Sequence, residues 1–300
     1  INNRTSGGYG IILDDLYYQI DPSTTADVDF KKWFPASSGS LSDAGLDRIR
    51  ASVTLGTVLA DSAGAGYLLT PDGKRKLASV DTLVTSPTVA PDAFLKAIPD
   101  SGTSLAAPFL AKSTSGASIY WIDQNQKRSL VNSAAAARLA LLASTTEVQT
   151  LPPSALAAIP AGPNLIGPGT FLKYSTGKLL FTDGLDKVLT VSTPAFATEA
   201  GLGKKPLPVK KVDLAGYTSA GTLGLKIQCG AQQYLVQKGT WRPIADAFAK
   251  EYPGAATALD ASTCAGLKLG TAQLGRFVIS PAKLTYLMVA GKRRLVTKKQ

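Results

Sequence analysis

Three consecutive apolar residues, a turn rich in Gly, Asp or Asn, a basic residue and an apolar close recur along this chain in one eleven-residue order. Tyr67 to Leu77 reads YLLTPDGKRKL and Tyr234 to Ile244 reads YLVQKGTWRPI; the two align without a gap. The same plan stands at 120–130 (YWIDQNQKRSL), 179–189 (LLFTDGLDKVL) and 286–296 (YLMVAGKRRLV), with a degenerate copy at 10–20 (GIILDDLYYQI). Successive copies begin 52 to 59 residues apart, a period that marks a repeat architecture. Turns such as PDG, DG and KG between short β-prone arms predict a hairpin in each copy.

Upstream of five copies lies another short β-prone run: GTVLADS, PFLAKST, GTFLKYS, GLKIQCG and RFVISP. Each unit is therefore predicted as a three-stranded antiparallel piece, and only the first copy lacks its leading strand. Helix-prone segments follow the hairpins at ADVDFKKWF, NSAAAARLALL, TPAFATEAG and DAFAKEYPG, more weakly at SVDTLVTS. A second helical turn follows in PDAFLKAIP, PPSALAAIP and LSDAGLDRI, where the spaced apolar residues share one face. Units of this size cannot bury a core alone and must pack on each other. The expected fold is a β-rich repeat protein with short helices between units, running approximately 1–55, 56–107, 108–168, 169–223, 224–274 and a partial 275–300, as a single repeat domain. A closed, propeller-like ring of five or six units is favoured over an open superhelical stack, because the two ends lack complementary strands.

Composition narrows the classes. With 45% hydrophobic residues and a mean hydropathy of +0.09 the 300-residue chain reads as globular. Its best apolar run, VNSAAAARLALLAS, is broken by Arg138 and too short to span a membrane. The net charge is +11, from 32 basic and 21 acidic residues, and only Glu147, Glu199 and Glu251 are glutamates. A basic surface attracts nucleic acid, anionic lipid or a polyanionic wall alike, and the 7% aromatic content gives base stacking no special support, so no specific nucleic acid is implied. The start at Ile1 is expected to reflect a processed or trimmed product. Cys229 and Cys264 lie in one repeat without metal or redox spacing; in an exported protein they are expected to pair, in a reducing compartment to be small buried side chains.

Two repeated positions are the binding candidates. The ninth is basic in five copies: Arg75, Arg128, Lys187, Arg242 and Arg294. It reads either as a row gripping an anionic or hydroxyl-rich ligand or as an inter-unit contact, with the structural reading favoured. The first is Tyr67, Tyr120, Tyr234 and Tyr286, either sugar-stacking platforms or core and edge residues of half-buried strands, the latter favoured. Catalytic signals are poor. The chain has no histidine, which removes the commonest general base and most zinc sites, and no metal or cofactor site is implied. The aspartate pairs Asp14–Asp15 and Asp183/Asp186 fall in hairpin turns, where aspartate serves the backbone. Ser280-Pro-Ala-Lys283 forms an isolated S-x-x-K without a K-T-G partner. Neither AGKRR nor GLGKK has phosphate-loop spacing, and Asn3-Arg4-Thr5 is a glycosylation sequon by pattern.

The unit G-x-x-L followed by Y-L-V-x-x-G-x-x-R-x-I and an Ala-rich helix resembles the roughly 55-residue repeats of secreted, cell-wall-associated actinobacterial proteins. The resemblance spans the chain and is clearest at 108–130 and 225–244. It implies export and surface attachment, and carries over no catalytic residue. The expectation is a non-catalytic extracellular or cell-surface module that targets a cell-wall polysaccharide or other glycan. A protein–protein interaction ring without glycan affinity is the alternative, and an aspartate-dependent glycan-active enzyme a distant third.

Overall fold

The computed structural model describes residues 2–3, 9–13, 16–34, 40–46, 49–132, 134–203, 205–280 and 282–297. The fold is β-rich with few, short helices, and the strands among the described residues form six sheets of three to five strands, one for each copy of the plan. A two-stranded pair, Asn2–Asn3 with Ser40–Leu41, adds to them. Each sheet with its following helices is called a module here.

Modules two, three and five share one construction. In the second, Val58–Ala60 leads antiparallel into the hairpin Gly66–Thr70 and Gly73–Lys76. A strand from beyond the hairpin, Thr88–Val89, then pairs parallel on the other side of the leading strand. Gln149–Leu151 does the same for Phe109–Ser113 in module three, and Thr257–Leu259 for Lys226–Cys229 in module five. These parallel strands were not expected from the sequence, because two or three residues such as Thr88-Val89 carry no periodicity. Each runs straight into a turn-helix: Asp92–Ala97 and Pro153–Ala158, which the sequence predicts, and Ala261–Ala265, which it does not.

The hairpin turns follow from local chemistry. Gln124-Asn125, Lys238-Gly239 and Ala290-Gly291 all have positive φ, as a two-residue turn matching strand twist requires. Of the other predicted helices, TPAFATEAG forms Pro194–Glu199, capped by the Thr193 hydroxyl, and NSAAAARLALL keeps only Ala135–Leu139. DAFAKEYPG winds as a 3-10 turn over Asp246–Glu251, and SVDTLVTS forms turns. LSDAGLDRI forms Asp43–Leu46.

Backbone contacts divide the chain into two compact units: residues 1–130 with 142–162, and 131–141 with 163–300. Within each, three modules pack face to face. In the first unit, one cluster holds Ile20, Leu55, Leu59, Leu69 and Phe94 between modules one and two, and another holds Val58, Leu68, Phe109, Ile122 and Leu156 between modules two and three. In the second unit, Phe181, Leu189, Ile227 and Trp241 join modules four and five, and Ile244, Tyr252 and Met288 join five and six. Alternate residues of one strand thus serve two cores: Leu68 and Leu69 are both fully buried, in different clusters.

Both units open on the same irregular sheet. Leu16–Ile20 and Lys187–Val191 each pair parallel with a strand that slips register once, Arg50–Leu55 and Thr218–Thr222. Each of these ends in Thr-Leu-Gly (54–56, 222–224) and turns into the leading strand of the next module. Leu55 and Leu223 are buried at the corner.

The contact between leading strand and turn-helix is fastened in two chemistries. In module five, Cys229 and Cys264 form a disulfide that closes a 35-residue separation. In module two, Ser62 donates from Oγ to Asp92 Oδ2 (2.6 Å) and from its backbone N–H to Asp92 Oδ1 (3.1 Å). The Ser62 hydroxyl and amide hold the Asp92 carboxyl below its ordinary value. Because the folded pKa is depressed, this contact contributes fully above the ordinary Asp value of 3.8 and is lost as pH falls through the lower folded value. Replacing both cysteines by alanine is expected to lower the stability of the second unit by about 2–4 kcal/mol, read as a shifted urea midpoint; an unchanged midpoint would show that the crosslink constrains nothing. Ser62→Ala is expected to move the Asp92 carboxyl back toward 3.8 in an NMR titration, and no movement would mean the hydroxyl is not its partner.

Candidate functional site

The repeated basic and tyrosine positions stand on opposite faces of each hairpin. Pairing sets the second position opposite the ninth in five copies: Ile11↔Tyr18, Leu68↔Arg75, Trp121↔Arg128, Leu235↔Arg242 and Leu287↔Arg294. The first and third positions share the other face.

The fourth copy departs from this register. Its first strand runs one residue further, to Asp183, and its turn, Gly184-Leu185-Asp186, is one residue longer, so Lys187 pairs with Asp183 at the turn mouth and Thr190 takes the place opposite Leu180. The gapless alignment that put Lys187 in the basic row is corrected here: the row is basic in four copies, and the hairpin length is what the sequence concealed. Asp183 is buried and its Oδ1 accepts from the Asp260 N–H, capping the turn-helix of module five (2.7 Å). Asp186 is exposed, so the two carboxylates do not share an environment. Asp14 and Asp15, and Arg4 and Thr5 of the sequon, lie outside the described residues.

Arg75 faces the next module. Its Nε donates to the Thr103 carbonyl (2.6 Å) and its Nη1 to Gln149 Oε1 on the parallel strand of module three (2.9 Å). Desolvation in this contact pushes the guanidinium below its ordinary value. Arg128 and Arg242 lie half-buried, and Arg242 Nε is fully enclosed without a hydrogen-bond partner. Arg294 is exposed, on Lys292–Leu295 at the edge of the sixth sheet.

A returning segment explains the row. After each turn-helix the chain crosses beside the second hairpin strand and brackets the eighth position. Lys74 N–H bonds the Pro99 carbonyl and its carbonyl accepts from Ser101; Lys127 does so with Pro160 and Gly162, Trp241 with Lys268 and Gly270. The arginine stems lie on this segment, where Gly162 and Gly270 leave room for the Cγ atoms of Arg128 and Arg242. Gly73 is the tightest approach: at φ +144° a Cβ would stand 2.3 Å from the Pro99 carbonyl oxygen. The eighth position also caps the helix, with Lys74 Nζ on the Ile98 carbonyl (2.6 Å) and Lys127 Nζ on that of Leu156.

The tyrosines pack against cores. Tyr67, Tyr120 and Tyr234 border three different clusters, and Tyr67 also donates to Asp61 Oδ2 (3.2 Å). Tyr286 carries the Arg293 guanidinium 5.4 Å from its ring centre. Two of the three glutamates share a role that the sequence did not reveal. Glu199 Oε1 accepts from Lys238 N–H (2.8 Å) and Glu251 Oε2 from Ala290 N–H (2.5 Å), each ending one module's helix and capping the hairpin turn of the next. Each lies 39 residues before the turn amide that it accepts from, and that common spacing was the available signal.

What stays open lies on the sixth module. Its sheet has three strands, Phe277–Ile279, Thr285–Val289 and Lys292–Leu295. On the face that carries Arg294, Phe277 is 63% and Ile279 65% exposed, whereas Val58, Leu110 and Leu172 at the register position of Phe277 are buried. On the opposite face an apolar cleft of about 520 Å³ runs between modules five and six, lined by Leu225, Leu235, Tyr252, Leu274, Val278 and Met288 among others. No group of three or more metal-ligating side chains occurs among the described residues. None of their helices is long and apolar enough to cross a membrane.

Arg75→Met is expected to cost about 1–3 kcal/mol, since it leaves the Thr103 carbonyl and Gln149 without their donor. Arg294→Met, on an open face, is expected to stay within about 0.5 kcal/mol. Equal effects in chemical denaturation would remove the distinction between latched and open positions.

No family model matches the chain, and no curated protein does. Solved structures found similar to it are the periplasmic assembly from the ESX-5 inner membrane complex (12% identity, 75% of this chain and 91% of that chain, TM-score 0.18) and an intact ESX-5 inner membrane complex (14%, 74% and 56%, TM-score 0.17). The EccB3 dimer from the ESX-3 core complex is similar at 11% identity over 91% of this chain and 97% of that chain, with a TM-score of 0.18. At these TM-scores the superpositions carry no fold assignment.

Proposed function

We propose that this chain is a non-catalytic scaffold of an oxidising, extracytoplasmic compartment that binds protein partners through its sixth module. The observation that carries the reading is the apolar face of Phe277, Ile279 and Val296, uncovered while the equivalent faces of modules two and five pack on a following module. The disulfide supports the compartment, since such crosslinks persist where thiols are not kept reduced. The basic row supports a scaffold over a glycan grip, because Arg75 is engaged between modules and the tyrosines border cores.

The test is a photo-crosslinking residue at position 277, with position 173 as an exposed control on module four, in the extracytoplasmic fraction of the producing cell. Protein adducts at 277 and none at 173 are expected. Salt-resistant sedimentation with purified cell wall, without protein adducts at 277, would overturn the reading in favour of glycan targeting.

A further inference from the structure

In modules two, three and five the leading-strand residue that pairs with the first hairpin position is buried and aliphatic. Leu59 lies opposite Tyr67, Ala111 opposite Tyr120 and Ile227 opposite Tyr234. The turn-helix of each module packs on that face, through Phe94, Leu95 and Ile98 in module two, Ala155, Leu156 and Ile159 in module three, and Cys264 in module five.

Module four departs from this in charge and in packing together. The residue opposite Leu179 is Lys173, exposed, on the strand Phe171–Tyr174. The parallel strand Leu207–Val209 leads here into the short helix Lys211–Leu214, and Leu214 packs with Leu172 and Leu180 on the other face. Phe171, Lys173 and Leu179 share the first face, which is left to the helix Pro194–Glu199 and its Ala197.

Between that sheet face and that helix lies a groove of about 490 Å³, a volume in the range of small-molecule sites. Its floor is apolar: Phe171, Val191 and Ala197 are buried and Leu179 is half-buried. Lys173 and Lys178, both exposed, stand at its rim, and no aspartate or glutamate lines it. The adjoining cleft of about 340 Å³ shares Phe171 and Pro206 with it, carries Arg138 and Lys205, and has no carboxylate in its wall either. Cations on the rim of an apolar floor, with no acidic residue to neutralise them there, suit a negative group joined to an apolar body.

We infer that this groove binds a small amphiphilic anion, a carboxylate carrying a short alkyl chain. The chain lies on Phe171, Leu179, Val191 and Ala197, and the carboxylate accepts from the ammonium groups of Lys173 and Lys178. Every wall of the groove comes from module four itself, so the inference is independent of the sixth module and of the scaffold reading.

The probes are octanoate, octanol as its uncharged counterpart, and acetate as the anion without a chain. Titration calorimetry on the whole chain is expected to show saturable one-to-one binding of octanoate, with octanol and acetate each weaker by about tenfold or more. Lys173→Met with Lys178→Met is expected to weaken octanoate about tenfold or more and to leave octanol unchanged. Lys112→Met, at an exposed position on the leading strand of module three, is expected to change neither. Amide resonances of Leu179 and Ala197 are expected to move during the octanoate titration.

Absence of saturable octanoate binding, or binding that the double substitution leaves intact, overturns the inference. Acetate binding as tightly as octanoate does the same, because the apolar floor would then contribute nothing. So do resonance shifts confined to Leu225 and Met288, which would place the alkyl chain in the sixth module's cleft. Cosedimentation with phosphatidylglycerol vesicles that needs both lysines, without octanoate binding, also overturns it, since the lysines would then meet a membrane surface.

Discussion

A sheet of three or four short strands has two apolar faces, and nothing within one hairpin can cover either of them. That constraint organises the protein. Leu68 and Leu69, neighbours in sequence, are both fully buried because module three presses on one side of their sheet and module one, with the turn-helix of Phe94 to Ile98, on the other. Burying a leucine contributes about 1.5–3 kcal/mol, so each sheet gains from its neighbours what it cannot supply itself. The polar contacts serve the same end: Glu199 and Glu251 each reach from one module's helix to the next hairpin turn, and Arg75 reaches from one sheet to the next.

The returning segment is the second element of the design. It pairs with the eighth position through both backbone groups and so covers the edge that a hairpin would otherwise leave open. Close approach of two backbones explains the glycines there, and the long stems of Arg75 and Arg128 cover the crossing. One repeated geometry thus accounts for a basic row, a lysine helix cap and a set of spaced glycines.

Much of this was legible in the residues. The hairpins, leading strands and the turn-helices of modules two and three were readable because apolar runs, turn chemistry and proline stops each leave a local mark, and of the two readings of Cys229 and Cys264 the structure holds the paired one. The parallel strands were not, since Thr88-Val89 is set by its partner rather than by its own pattern. Nor was the register of the fourth hairpin, where LLFTDGLDKVL fits the eleven-residue plan letter by letter while a first strand and a turn each one residue longer move every partner three places along. The direction of Arg75 was equally beyond the sequence, because a repeated contact and a repeated ligand contact leave the same mark.

The fourth hairpin departs from the others in more than its pairing. In the first, second and fifth modules the even-numbered positions of the first hairpin strand look toward the following module; in the fourth, Leu179 and Phe181 do, and Leu180 turns the other way. Side-chain direction along a strand alternates with parity, and the fourth hairpin inverts it. The same three apolar letters therefore serve opposite sides in different modules: the third position of module two, Leu69, packs toward the module before it, and that of module four, Phe181, toward the module after it.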